Sequence, residues 1–261
     1  MLSYSFLRLF TKPGKLIFGL RHPQTALQVL KATTTDIPRL CRAVGMGSAE
    51  FDAYVKEVRL NKDFKSHVLD RLERFTKHLK EHGLYPGTID EIQGTIVYAI
   101  TRFSKPEVVL ETGVASGISS AYILLAMENN NKGKLYSIDL PFEEGSESSQ
   151  WATLLPKGEK SGWLIPQNLR HRWKLTLGKS SDTMPDLLKE LESVDVFLHD
   201  SDHSYENMKW EFRTIWPHLR RGGVLLSHDI EQNEAFSEFC QEAEGKSFTY
   251  KGGFGGIVKA E

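Results

Sequence analysis

The sequence lacks the features that define several large protein classes. Its two cysteines, Cys41 and Cys240, are far apart and show no CxxC or Cys/His spacing. We expect free thiols of a reducing compartment, and neither a zinc site nor a disulfide framework. The sequence has no excess of basic residues, because its 33 Lys+Arg are balanced by 34 Asp+Glu. This balance argues against a nucleic-acid partner. No apolar run approaches the roughly 20 residues that a membrane span requires.

What the sequence contains is ordinary globular composition, with 40% hydrophobic and 26% charged residues. A length of 261 residues predicts one catalytic-sized domain with an appendage. Residues 1–35 are basic and rich in Phe and Leu, but Lys12-Pro13-Gly14-Lys15 interrupts the apolar stretch as no secretory signal would. We therefore expect a cytoplasmic protein. The arm has three interpretations: loose docking, a weak membrane-surface or partner contact, or a transit peptide.

The periodicity of apolar residues changes near residue 105. Steps of three and four residues predict helix over 48–82 and again from Ile89 to Phe103. Short apolar strands then alternate with helices, which indicates βαβ units and a mostly parallel sheet covered on both faces. The pattern divides the chain into a basic arm with a helical extension, 1–85, and an α/β domain, 86–261. The predicted strands are Val108–Leu110, Lys134–Asp139, Val194–Leu198, Gly222–Leu226, Phe248–Tyr250 and Ile257–Lys259.

Two segments of the α/β domain depart from simple alternation. The last two strands are joined by the short glycine-rich stretch 251–256, so we expect antiparallel neighbours. Residues 141–172 fit no repeating unit and contain Trp151 and Trp163. An irregular excursion of this length in a compact domain is typically a lid or a binding loop, and we expect it to close over a ligand.

A glycine turn follows the first predicted strand. The segment Glu111-Thr112-Gly113-Val114-Ala115-Ser116-Gly117 lies between strand and helix, where glycines permit a tight turn and close approach of a ligand. It has GxxxG spacing rather than the GxGxxG of dinucleotide sites. An acidic residue at the strand end would repel a pyrophosphate and favour a cationic ligand. Asp139 closes the next strand, where a carboxylate can bind both hydroxyls of a ribose. A purely structural turn is the alternative.

In the glycine turn and Asp139, the chain resembles class I S-adenosylmethionine-dependent methyltransferases. The likeness covers roughly residues 90–261 and is greatest for small-molecule O-methyltransferases of the macrocin and cephalosporin-biosynthesis branch. Leu177-Gly178-Lys179-Ser180 resembles the adenine-side loop of the family. The segments 196–205 and 222–229 resemble its fourth and fifth strand ends. The resemblance implies a Rossmann-like three-layer α/β/α sandwich with a mostly parallel seven-stranded sheet and an antiparallel terminal strand.

The resemblance also implies roles for individual residues. It places S-adenosylmethionine on Glu111, Gly113, Ala115, Gly117, Asp139, Lys179 and Ser180. A divalent metal, Mg²⁺ or Mn²⁺, would lie on Asp200, His228 and Asp229, although a histidine here disfavours magnesium and leaves manganese, iron or no metal as alternatives. His203 would act as general base beside Asp200, or would only occupy a helix N-terminus. The acceptor would be a small molecule, sugar-like or a secondary metabolite, and we expect a homo-oligomer.

Three other functions remain open from the sequence. A non-catalytic S-adenosylmethionine-binding protein would keep the same turn and Asp139. A nicotinamide-dependent oxidoreductase would explain Asp139 but not Glu111. A metallo-hydrolase would need the HxHxDH pattern, in which Ser201 replaces the middle histidine.

Overall fold

Seven strands form one sheet in the order β3-β2-β1-β4-β5-β7-β6 within the part of the chain that the structure describes. This computed structural model describes residues 32–81, 88–140, 155–156, 159–251 and 253–261. Strands β1 to β5 pair in parallel, and β7 runs antiparallel to both β5 and β6. The strands are β1 Val108–Thr112, β2 Lys134–Asp139, β3 Trp173–Leu177, β4 Val194–His199, β5 Leu219–His228, β6 Gly245–Tyr250 and β7 Phe254–Lys259.

Helices cover both faces of this sheet. The α-helices are α1 Ile37–Val44, α2 Ser48–Leu60, α3 Asp70–Glu81, α4 Glu91–Ser104, α5 Ile118–Asn130, α6 Ser180–Leu191, α7 Tyr205–Ile215 and α8 Ala235–Glu242. One apolar core joins α4 and α5 to the extension helices, and a second joins α6, α7 and α8 to the opposite face. Two cores on either side of one sheet confirm the predicted three-layer α/β/α sandwich.

The helical extension packs directly on the α/β domain. Helix α1 lies against β6, and α2 lies against α4. The guanidinium of Arg102 in α4 pairs with the Glu57 carboxylate of α2 at 3.1 Å. The backbone N–H of Lys251 donates to the Asp36 carboxylate just before α1. The extension therefore covers the β6 side of the sheet and extends the first core.

The strand order fixes where a ligand can bind. Sheet order reverses between β1 and β4, because the chain leaves β1 toward β2 on one side and returns to β4 on the other. At such a switch point the loops that follow the two strands diverge and leave a crevice at their carboxyl ends. Gly113 follows β1 and Asp200 follows β4, so both lie at this crevice.

Most predicted elements are confirmed, with local differences. Residues 48–81 are helical, but the chain turns at Asn61, whose side chain accepts from the Phe64 N–H and restarts the helix. Apolar periodicity does not mark β3, which has only half-buried and exposed residues at the sheet edge. Both cysteines are free. None of the helices in the described part combines the length and apolarity needed to cross a bilayer. The basic arm, apart from its last residues, lies outside the described residues.

Candidate active site at the switch point of the sheet

The glycine turn after β1 is shaped by left-handed backbone. Gly113 and Gly117 have φ of 82° and 84°, and Ala115 adopts φ of 45°, which costs a non-glycine residue strain. A Cβ on Gly113 would lie 1.9 Å from the carbonyl oxygen of Asp200. Only glycine therefore lets the loop after β1 approach the loop after β4 so closely.

The Glu111 carboxylate lies behind this turn, enclosed by protein. It is fully buried and accepts hydrogen bonds from the hydroxyls of Ser119, Ser120 and Ser137 at 2.5, 2.6 and 2.8 Å. Burial raises the pKa of Glu111 to about 7, although the three hydroxyls oppose this shift. Glu111 does not line the cleft that the turn borders, so its role toward a ligand stays a prediction. Instead it joins β1, β2 and α5.

The Asp139 carboxylate supports the turn from the end of β2. It accepts from the Val114 N–H at 2.8 Å and from the Ala115 N–H at 3.4 Å. Its second oxygen accepts from the hydroxyl of Ser161, which belongs to the predicted lid. Asp139 is thus adjacent to the glycine turn as expected, and Ser161 occupies the side where ribose hydroxyls were expected.

The loop after β3 lies next to Asp139. The Gly178 N–H donates to the Asp139 carbonyl at 2.9 Å, and Lys179 is the N-cap of α6, so Lys179 and Ser180 stand at a helix N-terminus. Leu177 is the register partner of Asp139, and Leu140 follows Asp139 in the chain. Their side chains are 57% and 59% exposed. These two leucines therefore offer exposed apolar surface at the ends of β2 and β3, near the Asp139 carboxylate.

The loops after β4 and β5 bring four titratable side chains together. His228 Nδ1 lies 3.0 Å from Asp200 Oδ1 and 3.4 Å from Asp229 Oδ1. His203 Nε2 lies 3.7 Å from the same Asp200 oxygen. Candidate ligand atoms of Asp200, His203 and His228 all lie within 4.8 Å of one another. Asp229 has φ of 51°, a strained conformation held at the end of β5.

The two histidines of this cluster differ in protonation. Burial lowers the pKa of His203, against the pull of Asp200. Burial acts on His228 in the same direction, but Asp200 and Asp229 outweigh it and raise its pKa to about 9. Near neutral pH, His228 is the charged partner of Asp200, and His203 keeps a free ring nitrogen. Its Nε2 is buried and has no hydrogen-bond partner among the described residues.

The glycine turn and the His/Asp cluster border one cleft of about 380 Å³. The loops after β1, β4 and β5 contribute to it, and its wall combines polar side chains with apolar surface. The lining residues are Thr88, Gly113, Val114, Ala115, Ile118, Ser119, Asp200, Ser201, Asp202, His203, Ser204, His228, Asp229 and Gln232. Its volume and mixture of backbone, imidazole and carboxylate groups are typical of a small-molecule site.

Comparison with known proteins shows what the domain around this cleft is similar to. Residues 110–230, which run from β1 past the end of β5, match a family model described as a methyltransferase domain. These residues, slightly less than half of the chain, are therefore similar to a methyltransferase domain. No curated protein matches the sequence.

Solved structures agree with this assignment at the level of the fold. The O-methyltransferase TomG of Streptomyces achromogenes, involved in tomaymycin synthesis and solved with S-adenosylmethionine, superposes with a TM-score of 0.54 at 15% identity, covering 73% of this chain and 89% of that chain. The Bacillus cereus O-methyltransferase, solved with S-adenosylhomocysteine, gives 0.52 at 15% identity, covering 80% and 96%. A Geobacter sulfurreducens methyltransferase gives 0.53 at 14% identity, covering 73% and 88%. The predicted resemblance to class I methyltransferases is confirmed, whereas the macrocin-type branch stays a prediction.

The lid predicted over the methyltransferase cleft is only partly described. Trp151 lies outside the described residues. Trp163 does not line the cleft, because its ring packs edge-on against Phe75 of α3 at 5.5 Å and under the Arg71 guanidinium at 4.8 Å. The helical extension offers Trp163 an aromatic and a cationic partner, which the polar cleft does not.

The sequence pattern did not single out Glu211, a second fully buried carboxylate of the domain around the cleft. It accepts from Thr112 Oγ1 at 2.6 Å and Ser201 Oγ at 2.8 Å, and contacts His199 Nδ1 at 2.7 Å. Glu211 therefore connects the end of β1 to the end of β4 and the loop that carries Asp200. A signal existed in the sequence: Glu211 falls on the apolar stripe of α7, three residues after Met208.

Proposed function

We propose that this protein transfers a methyl group from S-adenosylmethionine to a hydroxyl of a small-molecule acceptor. The observation that carries the proposal is the cleft itself. It joins the glycine turn of a methyltransferase domain to a cluster in which His203 Nε2 is buried without a partner among the described residues. One wall suits the cofactor, and the other offers a proton acceptor to the acceptor hydroxyl.

The cofactor would lie along the carboxyl edge of β1, β2 and β3. Backbone groups of Gly113, Ala115 and Gly117 would contact its methionine part, and Glu111 would hold that turn from behind. Asp139 would bind the ribose in place of the Ser161 hydroxyl, because both present hydroxyl donors to one carboxylate oxygen. The adenine would lie beside Lys179 and Ser180. Apolar walls for its ring are available in the exposed pair Leu140 and Leu177.

His203 would remove the proton of the acceptor hydroxyl as the methyl group moves. A neutral imidazole is suited to this step, and burial lowers the pKa of His203 in the direction that keeps it neutral. Asp200 and His228 would orient the hydroxyl beside it. Because the transfer needs in-line placement of oxygen, methyl carbon and sulfur, positioning would supply most of the acceleration.

The same residues fit a divalent metal. Asp200 and His228, two of the predicted ligands, group with His203, while the predicted Asp229 lies 3.4 Å from His228 Nδ1. The unpartnered nitrogen of His203 is the kind of buried polar atom that a metal would satisfy, in which case His203 would be a ligand instead of the base. Two imidazoles with carboxylates suit manganese or iron better than magnesium. When bound, a metal would lower the pKa of the acceptor hydroxyl.

The polar wall of the cleft favours a hydroxylated acceptor such as a sugar or a sugar-bearing metabolite. Asp200, Asp202 and Asp229 would repel an anionic acceptor and offer hydrogen-bond acceptors to a polyol. The free cysteines fit the reducing cytoplasm as the working compartment.

The proposal is tested in two steps on the full chain. Calorimetry with S-adenosylhomocysteine should give saturable one-to-one binding, and absence of heat from folded protein would contradict the proposal at its cofactor. Mass spectrometry should then detect a methyl group added to members of a panel of polyhydroxylated acceptors, with manganese and with chelator. Binding without transfer to any of them would instead support the alternative of a non-catalytic binding protein.

A further inference from the structure

A second cavity lies where the helical extension meets the methyltransferase domain. Its volume is about 670 Å³, within the usual range of small-molecule sites, and it shares no lining residue with the methyl-transfer cleft. The segment 61–71 forms one side, and residues 163–170 form the other, with Leu125 of α5 at the base. Junctions between structural units are a common location of ligand sites.

The cavity has an apolar floor. Phe64, Leu125, Ile165 and Leu169 are each buried, and the half-buried ring of Trp163 adds aromatic surface. The Trp163 indole N–H is enclosed and has no acceptor among the described residues. Buried polar hydrogens are nearly always satisfied, so this group indicates an acceptor atom that the described residues do not supply there.

Two guanidiniums line the same cavity. Arg71 lies over the Trp163 ring at 4.8 Å, and Arg170 lies over the Trp173 ring at 5.2 Å. Arg170 is held in place, since it donates to the carbonyls of Ile165 and Gly162 at 3.2 and 2.7 Å. Within the described ranges, neither guanidinium pairs with a carboxylate. Asp63 also lines the cavity, so its net charge stays positive with two cations against one anion.

We propose that this cavity is a separate binding site for an amphipathic anion, with the apolar body on the floor and the anionic group at Arg71 and Arg170. Planar, weakly hydrated guanidiniums suit carboxylate, sulfonate and phosphate groups alike, and two of them held over indole rings are ordered before the ligand arrives. The methyl-transfer cleft is a poor competitor for such a ligand, because three aspartates line it.

The test uses two fluorescent probes of the same shape. 8-Anilinonaphthalene-1-sulfonate carries the anion, and N-phenyl-1-naphthylamine lacks it. In the full chain, the Arg71→Gln/Arg170→Gln variant should bind the sulfonate about tenfold more weakly, while affinity for the neutral probe changes by less than about twofold. Arg74→Gln removes an exposed cation on the same helix, outside the cavity, and should leave both affinities unchanged.

Two further measurements make the outcome decisive. If the double variant does not fold, as judged by its thermal transition, each single variant should still weaken sulfonate binding by about threefold. Decanoate and decyl phosphate should compete with the sulfonate probe, and whichever displaces it better identifies the preferred head group. Sulfonate affinity unaffected by the arginine substitutions, or displacement by neither amphiphile, would overturn the proposal.

Discussion

The cleft at the switch point has a β1–β2 wall and a β4–β5 wall, and the charged groups in or behind these walls are in opposite states. On the β1–β2 side, the carboxylates of Glu111 and Asp139 are occupied by protein donors. On the β4–β5 side, His203 Nε2 has no partner among the described residues, and Asp200 faces two imidazoles that compete for one oxygen. The carboxylates of the first wall already have hydrogen-bond donors within the protein, whereas the second wall keeps a group that can bind a ligand.

This difference separates groups that hold the structure of the site from groups that are available to a ligand or a reaction. Saturated buried carboxylates hold the glycine turn and the strands in place, and their loss should act first on folding and cofactor affinity. Groups that remain unsatisfied cost stability in the free protein and are kept where a ligand or reaction uses them. Substitutions on the first wall should therefore lower stability and cofactor affinity, whereas substitutions on the second should lower turnover.

The largest effect is expected on the unsatisfied wall. His203→Ala should lower turnover by about two to four orders of magnitude and leave S-adenosylhomocysteine affinity unchanged, because the proton acceptor is lost but the glycine turn is not. Steady-state kinetics and calorimetry measure the two quantities. His171→Ala, at an exposed histidine, is the matched control. Normal turnover by the His203 variant would remove it from the mechanism.

For Asp139→Ala, we expect the main loss in cofactor affinity. The N–H groups of Val114 and Ala115 would lose their acceptor, and the ribose would lose its carboxylate, so S-adenosylhomocysteine affinity should fall by about one to two orders of magnitude. Asp139→Asn keeps one carbonyl oxygen for Val114 and should lose less. Calorimetry on folded variants tests the order, and an alanine variant that binds like wild type would show that the turn does not depend on Asp139.

A third effect appears in stability rather than activity. The pKa of Glu111 is raised from 4.5 to about 7, so the native state binds its proton more tightly than the unfolded chain does. The resulting stabilisation is fully present below pH 4.5 and is lost as pH rises through 7. The free energy of unfolding of wild type should therefore fall relative to Glu111→Gln, by up to about 3 kcal/mol between about pH 5 and about pH 8.

Denaturant titration across this pH range measures the Glu111 effect. Glu73→Gln, an exposed substitution in α3, reports how the rest of the chain responds to pH. A constant difference between wild type and Glu111→Gln at every pH would mean that the buried carboxylate is not destabilised by its environment.

The fold could be predicted from the sequence, but the direction of every side chain at the candidate site could not. Alternating strands and helices were sufficient for the layers, and the strand ends at Gly113, Asp139 and Asp200 located the edge. The occupied state of Glu111 was not predictable, because serines at 119, 120 and 137 are brought together only by the folded sheet and helix. Strand β3 was missed since a half-buried edge strand lacks a clear apolar run.

The extension shows a different limit of sequence reasoning. The helical pattern of residues 48–81 was clear, yet its packing partner was not, and Trp163 was assigned to the cleft instead of to α3. Long-range pairs such as Trp163 with Phe75 depend on which surfaces remain free after the sheet has formed. Local periodicity carries no such information.

The smallest effect is expected at the exposed leucines near Asp139. Leu177 is 59% exposed, so Leu177→Ala should change stability little, but it would remove part of the surface proposed for the adenine ring. S-adenosylhomocysteine affinity should fall by about three- to tenfold, in the range expected when contacts equivalent to about one or two buried methylene groups are lost. Leu60→Ala, at a leucine 67% exposed in α2, is the matched control and should leave affinity unchanged. Equal affinities for both variants would place the adenine away from Leu177 and would restrict the cofactor to the glycine turn and Asp139.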